Sequence, residues 1–213
     1  MRDLYLSVPL NMMSGATNGP GSSGDSVTPD VLNDIITEPC GGMTMLPSRP
    51  FDEVYKNIFI GEESIARSPA GLKRLGVTHL INMAEGVHDG YHVHLDTELY
   101  RPANIQYLGI EATDDPTFDL SKSFQKCADY IASAIADGGK VLVSCKVGTS
   151  RSATIVLAYL IIKCRIPAPE AVKIVRKRRE ICPNDGFLKQ LCELNSELLN
   201  SGHFETKEDN VNL

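Results

Sequence analysis

Several features that would assign this 213-residue sequence to a familiar class of protein are missing. No apolar run reaches the roughly 18 residues that a membrane-spanning helix needs, and the first residues do not contain the continuous apolar segment of a signal peptide. Basic residues are in the minority, with 21 Lys and Arg against 27 Asp and Glu and a formal net charge of −6. We therefore expect neither a membrane nor nucleic acid as a partner.

The pattern of cysteine and histidine does not indicate a metal site. None of the six cysteines forms a Cys-x-x-Cys pair or has a histidine close to it in sequence, which argues against zinc. His92 and His94 are separated by one residue, as in some metal sites, but no third ligand lies nearby, and we expect these two and His88 to be solvent-exposed loop residues. A nucleotide-binding Gly-x-x-x-x-Gly-Lys motif is also missing. We therefore expect no metal and no cofactor. Because the sequence has no secretory signal, its cysteines are expected to stay reduced, which predicts that the protein is located in the cytoplasm and/or the nucleus.

The most informative stretch of the sequence covers residues 140–162. The apolar residues 141–143 predict a buried strand, and residues 153–162 are apolar on every side, as expected of a helix inside a core. Cys145 follows the strand, Arg151 precedes the apolar run, and the five residues between them contain no proline. Cys145 and Arg151 are thus separated by one short loop in a strand–loop–helix unit.

This arrangement predicts a site for a tetrahedral anion. A short loop over a helix N-terminus directs several backbone N–H groups inward, and Arg151 can close over the anion with a bidentate guanidinium. Cys145, at the base of the loop, lies under the positive end of the helix dipole, in surroundings that favour a thiolate. The hydroxyl of Ser152 can hydrogen-bond that thiolate and help it leave a thiophosphate intermediate. The prediction is a nucleophile beneath a bound phosphate.

The motif Cys145-x5-Arg151-Ser152 resembles the signature of cysteine-dependent protein phosphatases, and in particular of their dual-specificity branch. The resemblance extends over about residues 47–201 and is strongest to the vaccinia H1-related (VHR) members, with residues 179–188 carrying it outside the loop. It implies an α/β domain of the cysteine-phosphatase fold, with a mostly parallel central sheet flanked by helices. The alternation of predicted strands and helices agrees with that fold.

The same resemblance implies the catalytic residues. It makes Cys145 the nucleophile and Arg151 the phosphate ligand, assisted by Ser152. The family carries its general acid on an upstream loop, and here Asp114 takes that position, with Asp115, one residue away, as the alternative. Either carboxylate could instead form or cap the turn before the proline that follows. No metal is required by this mechanism, because the arginine and the loop N–H groups stabilise the charge.

Substrate binding is predicted for the loop after the nucleophile and for one arginine beyond it. The loop residues are Lys146, Val147, Gly148, Thr149 and Ser150. Arg179 matches a family arginine near the pocket that helps to bind acidic or doubly phosphorylated peptides. Lipid-directed relatives have a second lysine where this sequence has Thr149. Phosphorylated proteins, with MAP kinases among the candidates, are therefore the expected substrates rather than phosphoinositides.

One residue departs from the family pattern. A histidine normally precedes the nucleophile, and Ser144 stands there instead. Two functions are therefore kept open. The first is a dual-specificity protein phosphatase that hydrolyses phosphotyrosine and phosphoserine or phosphothreonine through a cysteinyl-phosphate intermediate. The second is a pseudophosphatase that binds phosphopeptides with weak or no turnover. The presence of Cys145, Arg151, Ser152 and Asp114 favours the enzyme.

The rest of the sequence predicts how the chain is organised. Residues 1–27 are rich in Gly, Ser, Thr and Asn and predict a disordered tail, and residues 28–46 predict a short amphipathic helix and a linker. The catalytic domain is expected over residues 47–201, followed by a polar tail over residues 202–213. Within the domain, residues 53–61 predict one continuous strand.

Overall fold

The computed structural model describes residues 27–88 and 90–204 of the chain. Its centre is a five-stranded sheet in the order β1-β2-β5-β3-β4. The strands, in chain order, are β1 Phe51–Tyr55, β2 Ile58–Gly61, β3 His79–Asn82, β4 Gln106–Gly109 and β5 Val141–Ser144. β1 and β2 run antiparallel and the other three pairings are parallel, so the prediction of a mostly parallel sheet is confirmed.

Within the described residues, seven α-helices accompany the sheet. They are α1 Pro29–Thr37, α2 Glu63–Ala66, α3 Pro69–Leu75, α4 Phe124–Ala136, α5 Arg151–Ile162, α6 Ala168–Arg176 and α7 Asp185–Asn200. The central helix is α5, which packs against α4, α6, α7 and β5. Its residues 151–161 are all buried. The prediction of a helix that is apolar on every side is confirmed, because α5 has neighbours all round.

The prediction of one continuous strand over residues 53–61 is wrong. The chain turns back after Tyr55, and Asn57 adopts a left-handed conformation with φ of 63° between β1 and β2. Asparagine tolerates this conformation better than most residues. The Asn57 N–H also donates to Glu53 Oε1 at 2.8 Å, which closes the turn. A turn-forming asparagine inside an otherwise strand-like segment was the signal for a hairpin.

The predicted N-terminal helix forms and packs on the domain. Thr28 caps α1, with its Oγ1 accepting from the Val31 N–H at 3.4 Å. The buried face of α1, which includes Leu32 and Ile36, lies on the side that packs against α6 and α7. The predicted tails lie outside the described residues, except for Val27 and residues 202–204. In the part of the chain that the structure describes, no helix is long and apolar enough to cross a membrane.

The strand β5 carries the nucleophile to the carboxyl edge of the parallel strands. Its last residue, Ser144, pairs with Gly61 of β2 on one side and with Asn82 of β3 on the other. Cys145 therefore leaves the middle of the sheet, at the edge where open α/β sheets bind ligands. Residues 146–150 then connect directly to the N-terminus of α5.

Candidate active site

The loop of residues 146–150 has its carbonyl groups turned outward. Arg179 donates from Nε to Gly148 O at 2.8 Å and from Nη2 to Val147 O at 3.3 Å. The carbonyl groups of the remaining loop residues accept from the backbone N–H groups of Glu63, Cys182 and Thr154. A peptide group points its N–H opposite to its C=O, so outward carbonyls leave the N–H groups facing the centre of the loop. The loop is therefore shaped as a cradle for an anion.

Gly148 is required where the loop passes closest to β2. Its φ is 75°, a left-handed conformation that favours glycine. An added Cβ would lie 2.6 Å from the carbonyl group of Gly61 and 2.8 Å from Arg179 Nη2. Any side chain at this position would push the loop away from both of its supports.

Cys145 lies at the base of the loop. Its Sγ accepts from the Gly148 N–H at 3.3 Å and lies 3.2 Å from Ser152 Oγ. The loop leads directly into α5, a helix of 12 residues whose N-terminal end carries partial positive charge. The N–H group, the hydroxyl and the helix end all favour negative charge on the sulfur. The structure thus brings Cys145 and Ser152 together in the way that the sequence predicted.

Arg151 is anchored by the main chain at one of its nitrogens. Nη1 donates to Ala112 O at 2.8 Å and to Tyr91 O at 2.9 Å. Nε lies 3.5 Å from Asp114 Oδ2 and is buried without a hydrogen-bond acceptor among the described residues. Buried donors are normally paired, so one that has no acceptor beside the phosphate loop is available to a ligand. Arg151 is therefore held ready to bind an oxyanion.

Asp114 faces the loop, whereas Asp115 is bound into its own turn. Asp114 Oδ1 accepts from Ser150 Oγ at 2.7 Å and from Asn184 Nδ2 at 3.0 Å. Asp115 Oδ1 accepts from the hydroxyl and the N–H of Thr117 at 2.5 and 2.7 Å. These two hydrogen bonds hold the pKa of Asp115 below its usual value. Asp114 faces the phosphate loop and its Oδ2 lies 3.5 Å from Arg151 Nε, so the geometry favours Asp114 as the general acid.

Arg179 is placed differently from what the sequence predicted. Its side chain is 0% exposed, and its Nη1 lies 2.8 Å from Asp52 Oδ2. Its other donors are directed at the loop carbonyl groups. A guanidinium enclosed in this way cannot reach a peptide without leaving its partners. The structure therefore corrects the predicted substrate contact to a support behind the loop.

The remaining loop side chains differ in what they can offer to a substrate. Lys146 Nζ lies 3.0 Å from Glu63 Oε1, with 31% of the lysine side chain exposed. Val147 is 42% exposed, whereas Thr149 and Ser150 are buried. Direct contacts from this loop are therefore expected from its main-chain N–H groups and from the side chains of Lys146 and Val147.

Two features of the site escaped sequence reasoning. Asn184 caps α7, and its amide also reaches Asp114 across the site, a contact that its position in the sequence does not indicate. His92 was predicted to be exposed, but it is buried, and neither ring nitrogen has a hydrogen-bond partner among the described residues. Its ring centroid lies 5.5 Å from that of Tyr91, whose carbonyl holds Arg151. The described residues contain no cluster of three or more potential metal ligands.

Four other cysteines lie in surroundings that suppress thiolate formation. Burial raises the pKa of Cys127 and of Cys192 to about 11. Burial also raises the pKa of Cys164 and of Cys182, the latter with a further contribution from nearby carboxylates. All six cysteines are free thiols in the structure. Because the thiolate is the reactive form, these four are poor alternatives to Cys145 as the nucleophile.

Comparison with known proteins identifies the family. Residues 58–197 match the family model described as "Dual specificity phosphatase, catalytic domain". Dual specificity protein phosphatase 26 of Bos taurus is 45% identical over 148 residues, which cover 69% of this chain and 68% of that protein. Human dual specificity protein phosphatase 13B is 44% identical over 148 residues, which cover 69% of this chain and 73% of that protein.

Solved structures agree with this assignment. A mouse putative dual specificity phosphatase complexed with zinc tungstate has a TM-score of 0.64 and 27% sequence identity, covering 75% of this chain and 95% of that one. The human tyrosine phosphatase-like serine/threonine/tyrosine-interacting protein has a TM-score of 0.64 and 28% identity, covering 71% of this chain and 99% of that one. The chain therefore belongs to the dual-specificity protein phosphatases, and its activity is the hydrolysis of phosphate monoesters on the tyrosine, serine and threonine side chains of proteins.

Proposed function

We propose that Cys145, Arg151 and Asp114 carry this reaction as nucleophile, phosphate ligand and general acid. The observation that carries the proposal is the position of Cys145 Sγ, 3.3 Å from the Gly148 nitrogen and 3.2 Å from Ser152 Oγ. The sulfur lies at the base of a loop whose carbonyl groups are all directed away from it. An anion bound by the loop N–H groups is therefore held over the nucleophile.

In the first step, the Cys145 thiolate attacks the phosphorus of the bound monoester. The S–P bond forms, the P–O bond to the leaving alkoxide or phenoxide breaks, and Asp114 transfers its proton to the leaving oxygen. The loop N–H groups and the Arg151 guanidinium stabilise the charge on the three other phosphate oxygens. The Nε–H of Arg151, which has no acceptor among the described residues, is the donor that can bind one of these phosphate oxygens.

In the second step, water attacks the cysteinyl phosphate. Asp114, now ionised, accepts a proton from this water, the S–P bond breaks, and inorganic phosphate is released. Ser152 Oγ, 3.2 Å from the sulfur, can donate a hydrogen bond to the departing thiolate. Asp114 returns to its protonated state and the thiolate to its starting state.

Phosphorylated proteins are the substrates that this site supports, and MAP kinases are the first candidates to test. Within residues 146–150 the one cationic side chain is Lys146, whose Nζ lies 3.0 Å from Glu63 Oε1. Thr149, which stands where lipid-directed relatives have a second lysine, is buried. A loop with a single cationic side chain suits one phosphorylated side chain better than a multiply phosphorylated inositol ring.

Turnover of a generic aryl phosphate by the purified protein tests the proposal. The wild-type protein should hydrolyse it. Cys145→Ser should abolish turnover and still bind phosphopeptide, because the loop N–H groups and Arg151 remain. Arg151→Lys should lose both binding and rate, since an ammonium cannot reproduce bidentate geometry. Turnover by Cys145→Ser near the wild-type rate would assign the nucleophile elsewhere, and phosphopeptide binding by a wild-type protein without turnover would support the pseudophosphatase.

The Cys145→Ser variant also tests the substrate class. It should retain a doubly phosphorylated MAP kinase and release the unphosphorylated kinase, which serves as the control.

We also propose the cytoplasm and/or the nucleus as the location, which is supported by the six free thiols. Imaging of the tagged full chain checks this location.

A further inference from the structure

The general-acid loop rests on the N-terminal end of α7. Residues 110–120 form neither helix nor strand, so neighbouring elements must fix the position of Asp114. Three residues at the start of α7 lie against this loop: Asn184, Gly186 and Gln190. These three are the loop-facing residues of α7.

The side chain of Asn184 is fixed by two hydrogen bonds, one that it accepts and one that it donates. Its Oδ1 accepts from the Phe187 N–H at 3.0 Å and so caps α7. Its Nδ2 donates to Asp114 Oδ1 at 3.0 Å. One end of the amide faces a donor and the other faces a carboxyl oxygen, so only one orientation of the side chain satisfies both. The helix cap therefore aims the amide at Asp114.

The other two loop-facing residues continue this contact along the helix. A Cβ on Gly186 would lie 1.9 Å from Pro116 O, so the two main chains touch and only glycine fits. One turn further on, Gln190 donates from Nε2 to Phe118 O at 2.8 Å and accepts at Oε1 from the Ser121 N–H at 2.9 Å. Residues four apart lie on one face of a helix. The loop is thus held on one face of α7.

We propose that Asn184 is a positioning residue for the general acid and that it sets how well the enzyme releases poor leaving groups. This inference rests on the proposed role of Asp114. Asn184 and Ser150 both donate to Oδ1 and so fix the orientation of the carboxyl group, whose Oδ2 lies 3.5 Å from Nε of the phosphate ligand Arg151. Proton transfer matters most when the leaving oxygen is strongly basic, as it is for phosphoserine and phosphothreonine. The hydrogen bond from Asn184 to Asp114 therefore matters more for the hydrolysis of phosphoserine and phosphothreonine than for that of phosphotyrosine.

Asn184→Ser should keep the cap of α7 and remove the hydrogen bond to Asp114, because serine also caps helices but has no amide to donate. We expect kcat/KM for a phosphothreonine peptide to fall about tenfold, a part of the roughly 10²–10⁴-fold that a general acid contributes. Turnover of p-nitrophenyl phosphate, whose leaving group needs little protonation, should change by less than about twofold. In an Asp114→Asn background, the same substitution should change either rate by less than about twofold, because no acid remains to be positioned.

Asn195→Ser is the matched control on the same helix. The Oδ1 of this buried residue accepts from the Ala168 N–H at 2.8 Å, so its hydrogen bond does not involve the general-acid loop. This variant should lower the thermal midpoint without changing the ratio of the two rates. An equal loss on both substrates in Asn184→Ser, or an effect that persists beside Asp114→Asn, would overturn the inference. If Asp114→Asn alone leaves the ratio unchanged, the general-acid assignment itself fails.

Discussion

The guanidinium of Arg179 and the carbonyl group of Gly148 form a hydrogen bond of 2.8 Å behind the phosphate loop. Arg179 is held in turn by Asp52 Oδ2 at 2.8 Å and by Arg49 O at 3.0 Å. A charged donor binds a carbonyl more strongly than a neutral one does, so the loop carbonyl stays turned outward. The shape of the phosphate site thus depends on an ion pair inside the domain.

Arg179→Met should lower both stability and anion binding. The substitution removes the buried partner of Asp52 Oδ2, whereas Arg49 Nη2 stays 2.5 Å from Asp52 Oδ1, so the free energy of unfolding should fall by about 1.5–3 kcal/mol, the value of a hydrogen bond to a charged group. The loop loses two hydrogen bonds, so inhibition by vanadate should weaken by at least about tenfold, which is on the order of 1.4 kcal/mol. Urea denaturation and vanadate titration measure the two effects.

Two substrates distinguish this supporting role from a direct substrate contact. A support behind the loop predicts that Arg179→Met loses activity equally on a small aryl phosphate and on a doubly phosphorylated peptide. A contact with the peptide would spare the aryl phosphate. Arg178→Met, at the exposed neighbouring position, is the matched control and should leave both rates unchanged.

Asp114→Asn should flatten the alkaline limb of the pH–rate profile, because it removes the group that must be protonated. Its effect should reach about 10²-fold or more on a phosphoserine peptide and be smaller on an activated aryl phosphate. Asp115→Asn is the control. The hydroxyl and N–H of Thr117 lower the pKa of Asp115, so it is ionised throughout the assay range and its replacement should change neither limb. The opposite result would make Asp115 the general acid.

Local chemistry was sufficient to predict the elements that carry the site. The apolar residues of β5, the all-round apolar pattern of α5 and the five-residue spacing of Cys145 and Arg151 together specify a strand–loop–helix unit. Helix caps are equally local. Asn184 accepts from the Phe187 N–H as expected of an N-cap, because capping involves residues three apart in sequence.

The features that sequence reasoning missed depend on residues that are far apart in sequence. Arg179 belongs to a run of basic residues, and only its approach to Asp52, 127 residues away, makes it the buried member of that run. Asn184 reaches Asp114 across 70 residues. The exposure of His92 also depends on how its loop folds back over the domain. No periodicity or spacing within one segment reports such contacts.

Thiol labelling should distinguish Cys145 from two other buried cysteines, Cys127 and Cys192. Burial raises the pKa of Cys127 and of Cys192 to about 11, so on the order of one molecule in 10⁴ carries either thiolate at pH 7. A short pulse of iodoacetamide at pH 7 should therefore modify Cys145 first, and vanadate should protect it. Labelling of the two buried cysteines should rise about tenfold per pH unit as the pH approaches 11.

Peptide mapping by mass spectrometry measures this labelling, and Cys40 is the internal control. Cys40 is partly exposed and lies outside the phosphate loop, so vanadate should not change its labelling. Preferential labelling of Cys127 at pH 7 in the folded protein would contradict the expected order of reactivity.

Ser144→Ala should have little effect. The Ser144 hydroxyl donates to Ile81 O at 3.3 Å, inside the sheet, and the residue is 1% exposed. Among the described residues, no hydrogen bond joins this hydroxyl to the phosphate loop. We expect kcat/KM to stay within about twofold and the free energy of unfolding to fall by about 1 kcal/mol, the net value of one hydrogen bond. A loss of tenfold or more in kcat/KM would show that Ser144 acts on the loop.

Ser144→His restores the residue of the family pattern and should increase thiol activation. An imidazole ring that donates to the loop would add to the stabilisation of the Cys145 thiolate. The curve of alkylation rate against pH should therefore move to lower pH, and the rate of phosphate hydrolysis at slightly acidic pH should rise severalfold. The larger side chain must fit a buried position, at a cost of about 1–3 kcal/mol in unfolding free energy. Ser144→Asn is the control for added bulk and should lower stability without moving the curve. If the folded Ser144→His variant keeps the wild-type curve and rate, then the Gly148 N–H, the N-terminus of α5 and Arg151 activate this nucleophile without help from that position.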